Sequence, residues 1–279
     1  MKTLAIDTAT AALSVAVGDD SGIKGATLIQ AGRQHGVIMV PAVKTLLDQV
    51  CWQPAELERL VVGVGPGSFT GLRMGLTLAK TWAVARGLPI ETVSTLALMA
   101  AAAVNPVTSA SIQEACLVIP VIDARRQTAY TAAYRITNQQ VEPILKDRHQ
   151  TWGDFLAEVA GLVTADTDTL STQVTQLILV GQDLDQVDQR TPDQASFVAL
   201  TQERFPELTV QVIDGLEAWP RSERVLQGCV SLTAVDEPAH LVPNYTHRTL
   251  AEEEWADRAH VNLEDEAYQG EALVRTTEA

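Results

Sequence analysis

The stretch between Val61 and Arg86 most constrains how this chain can fold. An apolar, β-branched run ends in Gly65-Pro66-Gly67, and Ser68 or Thr70 then offers a side-chain oxygen that can cap a helix. The long segment that follows is mostly apolar, which is typical of a buried helix. The stretch therefore predicts a strand, a tight turn and a helix in succession.

Small residues recur every four positions along the predicted helix and would line one flat face of it: Gly71, Gly75, Ala79 and Ala83. Larger apolar side chains occupy much of the remaining circumference: Leu72, Leu76, Leu78, Trp82 and Val84. A helix that is apolar nearly all round must be covered on more than one side. We expect its own sheet on one side and a second helix, from this chain or from another, against the small residues.

A second interpretation of the glycine-rich turn is a phosphate-binding loop, because the amide groups at a helix N-terminus attract anions. The chain shows neither the lysine-bearing P-loop pattern nor the three-glycine fingerprint of dinucleotide sites. Close packing is therefore the favoured interpretation, with Gly65 and Gly67 serving to make a sharp turn.

Composition separates this chain from several classes of protein. Its 279 residues carry a formal net charge of −15, which opposes binding to a nucleic-acid backbone. Cys51, Cys116 and Cys229 lie far apart in sequence, so neither a disulfide framework nor a zinc knuckle is expected. The first residues lack the pattern of a secretion signal, and no apolar run is long enough to span a membrane. We therefore predict a cytoplasmic protein.

Residues 1–104 are predicted to form one α/β domain. Short apolar segments at residues 3–6, 13–17 and 23–29 are separated by turn residues, which favours a three-stranded antiparallel meander. The elements expected after the meander alternate between helix and strand: a helix over 37–51, a fourth strand, the helix described above, a strand over 88–93 and an alanine-rich helix to about residue 104.

Residues 105–245 are predicted to repeat this design in a degenerate form. Strands over 116–123, 129–136 and 141–145 repeat the meander, and four alternating elements follow: a helix over 151–162, strands over 177–181 and 210–213, and a helix over 196–205 between them. Residues 217–233 are predicted to form a last long helix that could return to the first domain. Residues 164–175 are expected to form a surface loop, and residues 246–279 an acidic, solvated tail in which Trp255 could contact a partner.

Two acidic residues fall at the same place in the two predicted meanders. Asp7 ends the first strand, and Asp123 ends its counterpart. Such a carboxylate can bond the backbone amides of its own turn, or it can contact a nucleotide phosphate or a metal. The five histidines are not spaced to share a metal ion, and His35 is placed to cap or pack at a helix entrance. No nucleophile, base and orienting residue form a recognisable set, so no catalytic or metal-binding residue is predicted.

Several motifs resemble those of the bacterial TsaB (YeaZ) family. They are residues 4–10, Gln34-His35, residues 65–73, residues 93–96 and residues 122–125. The Gly-Pro-Gly-Ser-Phe-Thr-Gly-x-Arg block is very specific to that family, and the similarity covers about residues 1–135. Pro243-Asn244-Tyr245 and Ala251-Glu252 resemble the family's C-terminal signature more loosely, and residues 140–235 match it in the order of elements only.

The resemblance implies an actin-like, sugar-kinase-like fold (ASKHA, ribonuclease H-like) with two similar α/β units. It implies a part in making N6-threonylcarbamoyladenosine at position 37 of tRNA, as the non-catalytic partner of the carbamoyltransferase subunit TsaD. A TsaE-type ATPase would be a further partner, and tRNA would interact with this chain only indirectly. The chain alone would form a homodimer. The resemblance also implies that the chain has no cofactor of its own. ATP or ADP, where bound, would lie at the interface with TsaD.

Carried onto this sequence, the resemblance assigns a partner interface around the central helix: His35, Ser68, Phe69, Thr70, Gly71, Arg73, Gly75, Ala79, Trp82 and Ala83. Weaker candidates for nucleotide contact are Asp7, Thr8 and Asp123. The sequence alone leaves open whether Arg73 caps a carbonyl group, reaches a partner or faces solvent.

Three departures argue against a complete nucleotide site. The His-x-x-x-His metal pair of TsaD-like relatives is missing, and residues 179–182 lack the double glycine of an adenosine loop. Ala9 also stands where phosphate-binding hairpins of this fold have glycine, and its Cβ would hinder close approach of the backbone. The alternative function is a free-standing ATP-dependent small-molecule kinase or ATPase that uses Asp7 and Asp123.

Overall fold

Two mixed β-sheets built on the same plan organise the computed structural model, which describes residues 1–104, 115–164, 174–187 and 194–246. In the first sheet, an antiparallel meander continues through parallel pairing of its first strand with two later ones. Its strands are β1 (Thr3–Asp7), β2 (Ala12–Asp19), β3 (Gly22–Gln30), β4 (Arg59–Gly63) and β5 (Ile90–Val93), in the spatial order β5-β4-β1-β2-β3. The predicted meander of the first half is therefore confirmed.

The second sheet repeats this order. Its strands are β6 (Cys116–Arg125), β7 (Thr128–Thr137), β8 (Gln140–Thr151), β9 (Gln176–Val180) and β10 (Thr209–Ile213), in the spatial order β10-β9-β6-β7-β8. In each sheet the first strand of the meander lies at the centre, between an antiparallel and a parallel neighbour. β1 is buried along its whole length, which explains why Leu4, Ala5 and Ile6 at its centre are apolar without alternation.

Helices cover both sheets. They are α1 (His35–Gln49), α2 (Phe69–Arg86), α3 (Thr95–Ala100), α4 (Trp152–Thr164), α5 (Phe197–Arg204) and α6 (Glu223–Leu226). One apolar core joins α1 and α2 to the first sheet, a second joins α4 to the second sheet, and a third surrounds α3 between the sheets. None of the described helices is long and apolar enough to cross a membrane.

The predicted long helix over residues 217–233 is wrong. That region contains a 3-10 turn (Gly215–Ala218), the four-residue α6 and a short strand, β11 (Thr233–Ala234), which pairs antiparallel with β5. Pro220 cannot continue a helix, and Gly228, two residues after the end of α6, adopts a positive φ of 68°. The chain thus returns to the edge of the first sheet. The Ser222 amide donates a hydrogen bond to Ser14 Oγ on β2, and the Ser222 hydroxyl donates to the Ser14 carbonyl oxygen.

Two other boundaries differ from the expectation. β8 extends to Thr151, well past the predicted end at residue 145, and Pro143 is tolerated in it because β8 is an edge strand. α3 ends at Ala100 and continues as a 3-10 turn (Ala101–Ala103). The surface loop predicted over residues 164–175 lies mostly outside the described residues, as do the acidic tail beyond residue 246 and Trp255.

Candidate functional site

The turn between β4 and α2 is held by the β1–β2 hairpin. Ser68 caps α2 as predicted, since its side-chain oxygen accepts a hydrogen bond from the Gly71 amide at 3.3 Å. The Ser68 amide donates to the carbonyl oxygen of Ala9 at 2.7 Å. Gly67 has a φ of 154°, and a Cβ there would lie 2.3 Å from the same carbonyl oxygen. The turn therefore requires glycine because the hairpin backbone lies against it.

The small-residue face of α2, formed by Gly71, Gly75, Ala79 and Ala83, is buried against this chain's own sheet. A Cβ on Gly71 would lie 2.1 Å from the carbonyl oxygen of Thr8, and a Cβ on Gly75 would lie 2.3 Å from Thr8 Oγ1. Thr8 Oγ1 donates a hydrogen bond to the Gly71 carbonyl oxygen at 2.8 Å. The expectation of a second helix on this face is corrected, because the β1–β2 hairpin covers Gly71 and Gly75 and the apolar core of the first sheet covers Ala79 and Ala83.

The assignment of these four residues to a partner interface is corrected for the same reason. His35 is also withdrawn from the exposed surface, since only 3% of it is exposed and its Nε2 lies 3.3 Å from the Ala12 carbonyl oxygen. It is a packing residue at the start of α1, which is one of the two roles expected for it. Trp82 is half-buried and packs against the core beneath α2.

The outward sides of α1 and α2 expose large apolar side chains. Val37 and Val40 on α1 are 75% and 56% exposed, and Phe69 and Val84 on α2 are 48% and 61% exposed. We call these four residues the outward face. The two helices meet at Gly36, where a Cβ would lie 3.4 Å from Met74 Sδ. Of the predicted interface residues, four are exposed at the beginning of α2: Ser68, Phe69, Thr70 and Arg73.

Phe69 stands at the centre of a small aromatic and cationic cluster. Its ring stacks on that of Tyr245 with the centroids 5.1 Å apart, and the Arg73 guanidinium carbon lies 5.1 Å from the Phe69 centroid. Arg73 therefore packs over an aromatic ring, a role that differs from the three that the sequence left open. Tyr245 is held in place by the Asn244 amide, which donates to the Val64 carbonyl oxygen at 2.8 Å. Only the loose resemblance of residues 243–245 to a family signature pointed to Tyr245.

Asp7 is fully buried and its carboxylate is already bonded. Oδ1 accepts from the Ala9 amide at 2.9 Å, and Oδ2 accepts from the Thr95 hydroxyl at 2.7 Å. Burial raises the pKa of the Asp7 carboxyl above its ordinary value of 3.8. A Cβ on Gly63 would lie 1.9 Å from Oδ2, so the neighbouring strand closes the remaining approach. Asp7 thus supports the local structure, which is the first of the two roles expected for it.

A cleft of about 980 Å³ opens between the ends of the two sheets. It is lined by Thr10, Phe69, Asp123, Arg125 and Tyr130, among others. Asp123 is exposed there, and its Oδ1 accepts from the Arg125 amide at 2.7 Å. Asp7 and Thr8 do not line the cleft, so the structure does not bring the three nucleotide candidates together.

Two of the three residues predicted for nucleotide contact, Asp7 and Thr8, are turned into the fold. Asp7 and Thr8 are each 0% exposed, and both use their side-chain oxygens within the fold. The Ala9 carbonyl oxygen accepts a hydrogen bond from the Ser68 amide. The backbone of the β1–β2 hairpin is therefore already bonded to the turn before α2. Among the described residues, no three His, Cys, Asp or Glu side chains are grouped to hold a metal ion.

Comparison with known proteins identifies the family. A family model described as "TsaD: tRNA N6-adenosine threonylcarbamoyltransferase" matches residues 26–255. A protein of Bacillus subtilis named "tRNA threonylcarbamoyladenosine biosynthesis protein TsaB" is 35% identical over 156 residues, which are 56% of this chain and 65% of that protein. Its namesake in Escherichia coli is 38% identical over 135 residues, 48% of this chain and 55% of that protein. The chain belongs to the TsaB (YeaZ) family. It spans less than two thirds of the length of these relatives.

Solved structures of the TsaB family confirm the fold. The structure of YeaZ from Pseudomonas aeruginosa has a TM-score of 0.62 and 21% identity, and the match covers 88% of this chain and 99% of that one. A second Pseudomonas aeruginosa structure, described as similar to YeaZ, gives a TM-score of 0.64 at the same identity and coverage. The predicted fold class, two similar α/β units with mixed sheets, is therefore confirmed.

Two substitutions test the structural role of Asp7. Asp7→Ala is expected to lower the free energy of unfolding by about 2 kcal/mol, because the Ala9 amide and the Thr95 hydroxyl lose their acceptor inside the protein. Asp7→Asn keeps nearly the same side-chain shape but replaces the ionisable carboxyl group with an amide that does not titrate. Urea unfolding of each variant at several pH values measures both effects.

The sign of the pH effect follows from the raised pKa. The folded protein holds the Asp7 proton more tightly than the unfolded chain, so this group adds stability as the pH falls from the raised pKa towards 3.8. The wild-type chain should therefore gain stability relative to Asp7→Asn on acidification. Equal pH profiles for the two proteins would show that Asp7 is not buried as described.

Proposed function

We propose that this chain is a non-catalytic subunit in the biosynthesis of N6-threonylcarbamoyladenosine at position 37 of tRNA. In this proposal it pairs with a TsaD-type carbamoyltransferase subunit and activates it. The observation that carries the proposal is the outward face, Val37, Val40, Phe69 and Val84, in a chain of the TsaB family. The names of the relatives supply the pathway, and the exposed apolar residues supply a surface for the partner.

The outward face has the character of a binding surface. Single exposed apolar residues are common on proteins, but here two lie on each of two helices that contact each other. Phe69 and Arg73 add an aromatic ring and a guanidinium group, which are enriched at the energetic centres of interfaces. The small-residue face of α2 supports this surface from below, because its close contact with Thr8 fixes where the helix lies.

The position of Asp7 supports the accessory role over the free-standing kinase or ATPase. Such an enzyme would need Asp7 beside phosphate or magnesium, whereas the side chain bonds Ala9 and Thr95 inside the fold. Asp123 lies in the cleft without it. The proposal accordingly gives the chain no catalytic residue and no cofactor of its own.

The remaining expectations stay part of the proposal. ATP or ADP would bind at the interface with the TsaD-type subunit, a TsaE-type ATPase would join the complex, and tRNA would contact this chain only indirectly. The chain alone would form a homodimer through the surface that binds TsaD, and it would act in the cytoplasm. We retain residues 1–104, 105–245 and 246–279 as its first domain, second domain and tail, with the last part of the second range returning to the first domain.

Reconstitution tests the proposal. The chain is mixed with the TsaD-type and TsaE-type proteins of its own organism, threonylcarbamoyl-adenylate, ATP and tRNA that lacks the modification. We expect a complex with the TsaD-type subunit on size-exclusion chromatography, and modified tRNA only when this chain is present. The chain incubated alone with ATP is the control for the ATPase alternative. Modification that proceeds equally well without the chain would contradict the proposal, and ATP hydrolysis by the chain alone would favour the alternative.

A further inference from the structure

A carboxylate of the second sheet accepts two hydroxyl groups at the junction between the sheets. Asp147 lies on β8, and its Oδ1 accepts from the Tyr134 hydroxyl of the neighbouring strand β7 at 2.8 Å. Its Oδ2 accepts from the Ser94 hydroxyl at 2.6 Å. Ser94 directly follows β5 of the first sheet and precedes α3, so this bond joins the two halves of the molecule.

The hydrogen bonds of Ser94 show that its hydroxyl group is the donor to Asp147. A serine hydroxyl has one proton to donate and can accept two bonds. Ser94 Oγ accepts from the Ala97 amide at 3.1 Å as the cap of α3, so its own proton is free to point at Asp147. Tyr134, which is 3% exposed, likewise directs its proton at the carboxylate. Two hydroxyl donors therefore converge on one acceptor that lies across the junction from α3.

The next residue, Thr95, makes the matching connection within the first half. Its hydroxyl donates to Asp7 Oδ2 at 2.7 Å, and its amide donates to the Gly65 carbonyl oxygen at 2.9 Å. Ser94 and Thr95 thus hold one carboxylate from each half of the molecule. Through Gly65, the same pair also holds the turn that leads into α2.

We propose that Asp147 is a latch that fixes the second sheet to the first turn of α3, and through Ser94 and Thr95 steadies the turn that begins α2. An isosteric amide cannot replace it fully. Asparagine offers one oxygen acceptor where the carboxylate offers two, so one of the two hydroxyl groups must turn its proton elsewhere. The inference concerns the chain alone and goes beyond the proposed pairing with another subunit.

Burial supports the geometric argument. The pKa of the Asp147 carboxyl is raised, first because the group is partly withdrawn from water, although the bonds from Ser94 and Tyr134 oppose the shift. The pKa of the Tyr134 hydroxyl is raised well above its ordinary value, because it is buried and faces that carboxylate. If the two halves separated here, Asp147 would keep the bond from Tyr134 of its own sheet and would lose the bond from Ser94.

Hydrogen exchange on the full chain tests the latch. In Asp147→Asn we expect the Thr95 and Ala97 amides to exchange about tenfold faster than in the wild type, since a hydrogen bond to a charged group of this kind contributes on the order of 1.5 kcal/mol. The Ser68 amide, which bonds Ala9, should follow in the same direction. Tyr134→Phe removes one donor, keeps the ring, and should give a smaller change at the same amides.

The matched control lies on the same pair of strands. Thr137 on β7 donates to Glu142 Oε2 on β8 at 3.2 Å, a contact within the second sheet that does not reach α3. Glu142→Gln should therefore leave the Thr95 and Ala97 amides unchanged. If Asp147→Asn unfolds the whole chain, Tyr134→Phe decides the question. Unchanged exchange of Thr95 and Ala97 in Tyr134→Phe and in any folded Asp147→Asn would overturn the proposal.

Discussion

Gly71→Ala is expected to destabilise the chain by about 3 kcal/mol or more, the upper range for overpacking a buried site. The added Cβ would lie 2.1 Å from the carbonyl oxygen of Thr8. That oxygen belongs to the backbone, so it cannot move aside by a side-chain rotation. Either α2 or the β1–β2 hairpin must shift, and the bond from Thr8 Oγ1 to the Gly71 carbonyl oxygen would be strained with them. Urea unfolding followed by circular dichroism measures the loss.

Gly161→Ala is the matched control for that substitution. Gly161 lies within α4, and among the described residues a Cβ there would meet no atom within 4 Å beyond the backbone of its own helix turns. Alanine should therefore raise stability by roughly 0.5–1 kcal/mol, because glycine in a helix interior loses more conformational freedom on folding. A Gly71→Ala protein as stable as the wild type would show that α2 does not pack on Thr8 as described.

Val40→Glu is expected to weaken pairing with a TsaD-type subunit by about 100-fold or more, the loss typical of a central apolar contact. Val40 is 56% exposed on α1, so glutamate there should be tolerated in the free chain. At an apolar interface the same carboxylate would have to leave water without a partner. Titration calorimetry with the purified TsaD-type subunit measures the change in Kd, and the melting temperature of the free chain checks that it still folds.

Leu216→Glu introduces the same charge at a position outside α1 and α2. Leu216 is 69% exposed in the 3-10 turn (Gly215–Ala218) that follows β10 of the second sheet. Its substitution should leave pairing with the TsaD-type subunit within the error of the measurement. Normal pairing by Val40→Glu would remove α1 from the proposed interface, and an equal loss in both variants would point to a general effect of added charge.

Local chemistry made much of the fold predictable. The strand, turn and helix around Gly65-Pro66-Gly67 follow from residues that are neighbours in sequence, as does the cap at Ser68. The two meanders were recognisable because turn residues separate short apolar runs, and the repeat of that order predicted the second sheet. The false helix at residues 217–233 was avoidable, since Pro220 and Gly228 are local signals against it.

The contacts that build the site were not predictable in this way. A four-residue period shows that α2 has a flat side, but it does not show what covers that side, and Thr8 is more than sixty positions away. The pairs Phe69 with Tyr245 and Ser94 with Asp147 are likewise distant in sequence. Each pair depends on how the sheets and the returning chain meet, which periodicity and turn chemistry do not encode.

The return of the chain to the first sheet sets an order of completion during synthesis. β11 adds to β5, the Leu241 carbonyl oxygen accepts from Lys80 Nζ on α2, and Asn244 bonds Val64. These residues leave the ribosome after the whole of the second sheet. The emerging N-terminal half can fold its meander early. It nevertheless exposes one edge of its sheet and part of α2 until more than 240 residues have been made, so the half that is synthesised first is the half that is completed last.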